Sequence, residues 1–451
     1  MASEISLNLL LRNWIDSSSG QCFETALRDA LEKISSYSRR ARSGVVLAER
    51  DPIRFSAAFF AAMMEGVPVL LANPAWQARE WEQLYRWLPA SVLFFGQVPN
   101  FQQPSVKPSA AKQLSAQLYI ATGGSSGDLK FARFTWQQLV QACQSFFQFF
   151  GSSLTHTVCS LPLYHVSGLM QLIRAYYQQG TIEFAHLQHL QTIQQPYRLS
   201  LVPTQLQRIF DQPALLKAVK QSAQIIFVGG SAVDPHLVQR IQEAALPVKL
   251  CYGMTETAAM IAVCCLRECN FESPEAAFER MPDVQVKIRP MPGQVAGVGQ
   301  ICIASPRVFS GYHHTVDRSP EDNYDSDDFG SIDEHGRLHV LGRIDDLITT
   351  GGEKVNLLEV QRCLQQTGLV QAALVSAIPD AEWGQKLVAL YTPKHPRVNT
   401  AALKDALADQ LVAYKRPKMW IALPALPIDE KGKVQPSQLQ AILERAALGK
   451  D

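Results

Sequence analysis

The chain has 451 residues, 47% hydrophobic and 18% charged, with 42 basic and 41 acidic residues and a net charge of +1. That length exceeds one ordinary core, so two or more domains are expected, and the composition excludes a disordered chain. The charge balance gives no reason to expect nucleic acid or an anionic membrane as partner. Nine scattered cysteines, with no pairs at zinc-finger spacing, read as reduced thiols of a cytoplasmic protein.

Residues 1–14 lack the basic and apolar regions of a secretory signal. The most apolar stretch, 55–72, is interrupted by Glu65, Gly66 and Pro68. It reads as a core helix, a turn and a strand over 67–71, with no membrane span. Strand-like runs at 44–48, 67–71, 91–95, 118–121, 157–161, 199–202, 225–228 and 248–251 alternate with amphipathic stretches such as 136–150 and 235–245. This alternation predicts α/β layers with largely parallel sheets. Beyond about Phe278 the pattern shortens to strands at 284–288, 299–304 and 337–340 between Gly and Pro turns, which predicts a β-rich subdomain. After Gly342-Arg343-Ile344-Asp345-Asp346 comes a compact α+β pattern. The expected organisation is a large N-terminal domain over 1–342, a junction at 343–346 and a small α+β C-terminal domain over 347–451.

The run Leu118-Tyr119-Ile120-Ala121 leads into Thr122-Gly123-Gly124-Ser125-Ser126-Gly127, with Lys130 close behind. Three glycines permit a tight turn and close approach of a ligand. Successive N–H groups, the hydroxyls of Thr122, Ser125 and Ser126, and the Lys130 charge suit a polyphosphate. The alternative is a flexible polar turn. The loop is not a Walker A sequence, because Asp128 follows the last glycine. Tyr252-Gly253-Met254-Thr255-Glu256-Thr257 follows the strand at 248–251, where open α/β sheets bind ligands. Glu256 is a hard oxygen ligand for magnesium, and Tyr252 offers a stacking face. The alternative is a helix start, with Thr255 as cap and Glu256 in the first turn. Gly229-Gly230-Ser231 ends another strand and reads either as the wall of an adenine pocket or as a plain turn. Asp327-Asp328, ahead of a hairpin, reads either as a ribose-binding carboxylate or as part of a solvated acidic loop. Gly432-Lys433-Val434 taken alone is a charged turn before a helix.

In this order and spacing the pieces closely resemble the adenylate-forming acyl-CoA synthetase superfamily, over nearly the whole chain from about Gly44 to Gln440. Residues 119–130 resemble its phosphate loop, 252–257 its aromatic-Gly-x-Thr-Glu motif, and 342–346 its Gly-Arg-x-Asp hinge. The loop Gly351-Gly352-Glu353-Lys354-Val355 with Glu359 resembles its thioester-step segment. Leu129, Phe131, Asp327 and Pro436 depart from the usual pattern beside these motifs. The resemblance implies ATP, magnesium and coenzyme A, and two steps, adenylation and then thioester formation. It places Thr122 to Gly127 and Lys130 on the β- and γ-phosphates, and Glu256 on magnesium. Gly229, Gly230, Ser231, Tyr252, Gly253 and Thr255 would surround the nucleotide, and Asp328 and Arg343 the ribose. Lys433 would bridge ATP and the substrate carboxylate. Rotation of the C-terminal domain about Asp345 would then bring Gly351 and Gly352 to a pantetheine channel.

The segments at 160–168 and 200–206 resemble the o-succinylbenzoate–CoA ligase branch, which acts in menaquinone and phylloquinone biosynthesis. The resemblance places His165, Ser167, Ser200, Thr204 and Gly253 around the acid, with His165 beside the reacting carboxylate. The other reading of His165 is a core histidine. Arg174 is the only charge in the run 169–177, which looks like a buried helix face, and no acid precedes it at helical spacing. A buried guanidinium needs an anionic or strongly polar partner, which a substrate carboxylate would supply. The alternatives are that Arg174 reaches solvent or pairs with a distant acid. Two other functions remain open: a stand-alone adenylation enzyme that loads a carrier protein or takes another aryl acid, and an inactive nucleotide-binding protein. Lys130, Glu256 and Lys433 count against the latter. The expected partners are the small-molecule acid, ATP and coenzyme A, with the chain a monomer or homodimer.

Overall fold

The computed structural model describes residues 5–10, 15–16, 23–38, 44–86, 88–89, 91–96, 114, 117–123, 129–231, 233, 235–266, 276–291, 296–313, 315–319, 322–351, 353–380, 382–408, 410–428 and 434–447. The apolar stretch 55–72 resolves into the helix Pro52–Met64 and the strand Val69–Leu71. Asp51 caps the helix by accepting from the Arg54 N–H at 2.8 Å, and Pro52 opens its first turn, where its missing N–H costs nothing. Every residue from 53 to 63 except Arg54 is buried, as befits a helix apolar on nearly every side. The helix Trp136–Phe150 starts on a reciprocal Thr135–Gln138 capping box and stops at Gly151, which takes φ of 75°. Among the described residues no helix is long and apolar enough to cross a membrane.

A five-stranded sheet runs in the order Leu93–Gly96, Val45–Ala48, Val69–Leu71, Leu118–Gly123, Leu129–Phe134. Its neighbours are parallel except for the last pair, an antiparallel hairpin. A twelve-stranded sheet holds the parallel strands Ile15–Asp16, Thr181–Phe184, His156–Cys159, Tyr197–Leu201, Ala223–Val228 and Val248–Met254. His156–Cys159 is buried along its whole length and Tyr197–Leu201 at all but Ser200, as parallel strands covered on both faces are.

The β-rich part is not a separate sheet. Val248–Met254 turns back into Ala259–Cys265, and Ala277–Arg280 bonds that strand to Leu338–Arg343. Tyr324–Ile332, Gly299–Ala304 and Gln285–Pro290 then continue the antiparallel order. Alternation along one strand says nothing about which edge it joins, so this continuity was invisible in the sequence. The fully buried Arg307 ties the junction together. It donates from Nη1 to the Met260 carbonyl at 2.8 Å and from Nε to Asp283 at 2.9 Å, and Ser305 donates to the same carboxylate at 3.0 Å. A buried ion pair supplied in this way with hydrogen bonds is tolerated.

Leu338–Arg343 is the last strand in the large sheet. The short 3₁₀ turn Ile344–Asp346 follows, and Leu347–Thr350 opens a third sheet with Glu353–Asn356, Gly384–Pro393, Val370–Asp380 and Met419–Ala422. This sheet has its own core, including Val355, Val360, Leu364, Leu387, Leu403 and Leu407.

Candidate active site

Adjacent parallel strands bring their C-terminal ends together at one edge of the large sheet. Tyr197–Leu201 carries Ser200 and leads into the helix Pro203–Phe210 with Thr204 in its first turn. Ala223–Val228 leads to Gly229, whose N–H donates to the Leu201 carbonyl at 3.2 Å. A Cβ on Gly229 would lie 2.9 Å from the Cys251 carbonyl oxygen, and Gly230 takes φ of +91°. Both positions need glycine for these reasons. Ser231 is exposed beside them.

Tyr252 and Gly253 lie within the strand Val248–Met254, not after it, and no α-helix starts at Thr255. Residues Thr255–Thr257 instead form a 3₁₀ turn inside a hairpin. The Thr257 hydroxyl closes the turn, donating to the Ala259 carbonyl at 2.8 Å and accepting from the Met254 N–H at 3.1 Å. The turn holds Glu256 buried, 6% exposed. Tyr312 donates its hydroxyl to Glu256 Oε1 at 2.8 Å, and the Lys130 ammonium lies 5.6 Å from the centre of the Tyr312 ring. Lys130 sits directly across from Thr122 in the hairpin of Leu118–Gly123 with Leu129–Phe134. Lys130 and Glu256, far apart in the chain, therefore share one neighbour.

Asp327 and Asp328 lie in the strand Tyr324–Ile332, so the acidic loop expected there is a loop only before Tyr324. Asp328 pairs directly with Arg343 across the ladder. Tyr252 donates its hydroxyl to Asp328 Oδ2 at 2.7 Å, and Arg343 Nη1 stands 3.7 Å from Oδ1. Arg343 Nη2 also reaches Asp327 at 3.2 Å and Asp345 at 3.7 Å. Burial raises the Asp328 pKa even though Tyr252 and Arg343 oppose the shift. Burial and the Asp328 carboxylate hold the Tyr252 hydroxyl well above its ordinary value, so the phenol stays the donor.

His165 immediately precedes the helix Val166–Gln178, with its ring 4.7 Å from that of Tyr164, and Ser167 is exposed in the first turn. Gly168 packs so closely on the Pro162 carbonyl that a Cβ would sit 2.2 Å from its oxygen. Arg174 on this helix is 6% exposed, and among the described residues Nε and Nη2 have no hydrogen-bond partner. Its guanidinium stacks 4.1 Å from the Phe146 ring. Burial lowers its pKa to about 10.

Gly351 takes φ of +57° in the turn between Leu347–Thr350 and Glu353–Asn356, and its N–H donates to the Trp383 carbonyl at 2.9 Å. Glu359 is held by Lys415 at 2.6 and 2.8 Å. Gly124, Ser125, Ser126, Gly127, Gly352 and Lys433 lie outside the described residues; Gly123 ends its strand. Among the described residues no three His, Cys, Asp or Glu side chains gather as a metal cage. Glu256 with the nearby Thr122–Lys130 hairpin instead suits a magnesium ion that keeps its waters and is held through one carboxylate and bound phosphates.

Tyr312 and Arg133 were missed in the sequence reading. Arg133 is buried in Leu129–Phe134 and donates from Nη2 to the carbonyls of Ser310 at 3.3 Å and Thr315 at 3.0 Å. The signal was present: Arg133 is a lone charge on the face it shares with Leu129 and Phe131, the same anomaly that marked Arg174.

An AMP-binding enzyme family model matches residues 96–313, and the model of that family's C-terminal domain matches 359–433. The 2-succinylbenzoate–CoA ligase of Lactococcus lactis is 27% identical over 328 residues, 71% of this chain and 69% of that one. The enzyme of the same name from Bacillus subtilis is 26% identical over 391 residues, 83% and 78% of the two chains. Among solved structures, the o-succinylbenzoate CoA synthetase from Bacillus subtilis in complex with the acyl-adenylate intermediate superposes with a TM-score of 0.78 at 22% identity, covering 93% of this chain and 92% of that one. ATP-bound MatB from Rhodopseudomonas palustris gives 0.79 at 21%, covering 95% of both. At these identities the structural likeness establishes the shared fold.

Proposed function

Because this chain belongs to the AMP-binding enzyme family, and so is a ligase of the adenylate-forming, acyl-CoA synthetase kind, we propose that it activates o-succinylbenzoate with ATP and transfers it to coenzyme A. In the first step a substrate carboxylate oxygen attacks the α-phosphorus, the bond to the β-phosphate oxygen breaks, and pyrophosphate leaves. In the second, the coenzyme A thiolate attacks the acyl carbon and AMP leaves with the electron pair. Little covalent chemistry falls to the protein, so its contribution is positioning and charge stabilisation. Thr122 to Gly127 and Lys130 hold the β- and γ-phosphates. Asp328, set by Tyr252 and Arg343, accepts from the ribose hydroxyls. Gly229, Gly230, Ser231, Gly253 and Thr255 line the nucleotide. Glu256 holds magnesium, which neutralises phosphate charge when bound. Lys433 spans ATP and the reacting carboxylate, His165 stands beside that carboxylate, and Gly351 with Gly352 serves the thioester step.

The choice of acid rests above all on Arg174. A guanidinium buried with two nitrogens unpartnered is costly unless something anionic joins it. The proposed acid has two carboxylates. One is activated, and the other pairs with Arg174, while Ser167, Ser200 and Thr204 face the remainder. Arg174 stands nine residues beyond His165, about 13 Å along the helix axis, and helix side chains lean back toward the N-terminus. The names of the relatives support the same acid. The test is an AMP-release screen of aryl and aliphatic acids with ATP, magnesium and coenzyme A. Release should be greatest with o-succinylbenzoate. Pyrophosphate release with no thioester on coenzyme A would replace this reading with a carrier-loading enzyme.

A further inference from the structure

Tyr312 has no part in the assignments above, yet its segment joins two pieces of the site. The Phe309 N–H donates to the Glu256 carbonyl at 2.9 Å. Tyr312 itself bridges antiparallel to Ala132, and the His313 N–H donates to the Phe131 carbonyl at 2.9 Å. The segment is thus an added edge on the strand that carries Lys130, and Arg133 fastens it through the carbonyls of Ser310 and Thr315. From this edge the Tyr312 hydroxyl reaches Glu256 Oε1 at 2.8 Å while its ring faces the Lys130 ammonium. In this contact the phenol is the donor, because an ionised carboxylate only accepts. A carboxylate that offers one oxygen to a cation is oriented by whatever holds the other, and a ring face holds an ammonium by its quadrupole.

We propose that Tyr312 is a positioning residue of the phosphate–metal site: its hydroxyl aims Glu256 at the divalent cation while its ring sets Lys130 against the phosphates. This rests on the reading of Glu256 as the metal-holding residue.

The test measures Mn²⁺ binding to the enzyme–ATP complex by the paramagnetic resonance signal of free Mn²⁺. Tyr312→Phe keeps the ring and removes the donor, so Mn²⁺ affinity should fall about tenfold, the lower end of such outer contacts. Metal-free ATP binding, read by calorimetry, should stay near that of the parent protein. Tyr312→Leu removes the ring as well and should weaken metal-free ATP binding too. Glu256→Gln should weaken Mn²⁺ binding at least as much, and adding Tyr312→Phe to it should cost nothing more, because the hydroxyl then has no carboxylate to aim. Loss in Glu256→Gln with no loss in Tyr312→Phe overturns the inference and leaves Glu256 in its role. No loss in either overturns the role of Glu256 itself. Should Tyr312→Phe fail to fold, Tyr312→Leu decides, since it also lacks the donor and leaves Glu256 at full length. A loss of Mn²⁺ affinity beyond its loss of metal-free ATP binding supports the inference, and an Mn²⁺ affinity unchanged once that loss is allowed for overturns it.

Discussion

Arg174 and Arg307 are both buried arginines, and they differ in what surrounds them. Arg307 has Asp283 and the Met260 carbonyl, so its charge is satisfied within the fold. Arg174 has the Phe146 face and two unpartnered nitrogens. That contrast is the ground for the proposal that Arg174 takes a ligand carboxylate while Arg307 is structural. Arg174→Ala should cost about 2–5 kcal/mol in kcat/KM for o-succinylbenzoate, the loss typical when a buried charge pair is truncated. The KM for ATP should barely move. An acid without the second carboxylate should be poor with the parent protein and lose little more in the variant. Arg174→Lys should recover only part, because an ammonium lacks the planar fork. Steady-state kinetics on a mono- and a dicarboxylic acid decide the matter, and equal losses on both would make Arg174 structural.

At the scale of elements, the hairpin Val248–Met254 with Ala259–Cys265 does the most to build the site. Its register shifts between Tyr252 and Gly253, and its turn holds Ala258 at φ of 51° and Ala259 at 76°. Such left-handed alanines are strained, and the Thr257 hydroxyl bonds offset part of that strain. Gly253 fits because a Cβ there would lie 2.2 Å from the Ala259 carbonyl oxygen. Gly253→Ala must therefore push the turn that carries Glu256. Overpacking of this kind costs about 1–3 kcal/mol of stability. Calorimetry should show ATP affinity falling along with the denaturation midpoint. A lowered midpoint with ATP binding intact would confine Gly253 to a structural role.

For the whole molecule, the two largest hydrogen-bonded layers of the C-terminal half meet at Ile344–Asp346. Leu338–Arg343 ends in the large sheet and Leu347–Thr350 begins the small one. A rotation between the two catalytic steps would turn about this short 3₁₀ segment, which is the kind of place where hinges absorb backbone change. Proline fixes its own φ and restricts the residue before it, so Asp345→Pro should leave adenylation largely intact and depress thioester formation. Rapid-quench measurement of each half-reaction checks this. An unchanged second half-reaction would move the hinge elsewhere.

Much of the fold was legible in the sequence because its signals are local. Buried parallel strands are apolar throughout, caps and glycines punctuate them, and the helix over 136–150 has the bounds its periodicity gave. The glycine-rich loop at 122–127, Glu256 and the lone charge of Arg174 could be singled out as candidates from residue type and neighbours, and their proposed roles came from the family resemblance. Tertiary structure decided what those residues face. Tyr252 meets Asp328 across 76 positions of chain, and Tyr312 meets Glu256 across 56. Both contacts depend on strand register and on which sheet edges join, and those are set by pairing between distant segments. Likewise, a lone arginine announces itself in a helix or strand, but only packing shows that Arg133 finds carbonyls, Arg307 finds Asp283 and Arg174 finds a ring and two open donors.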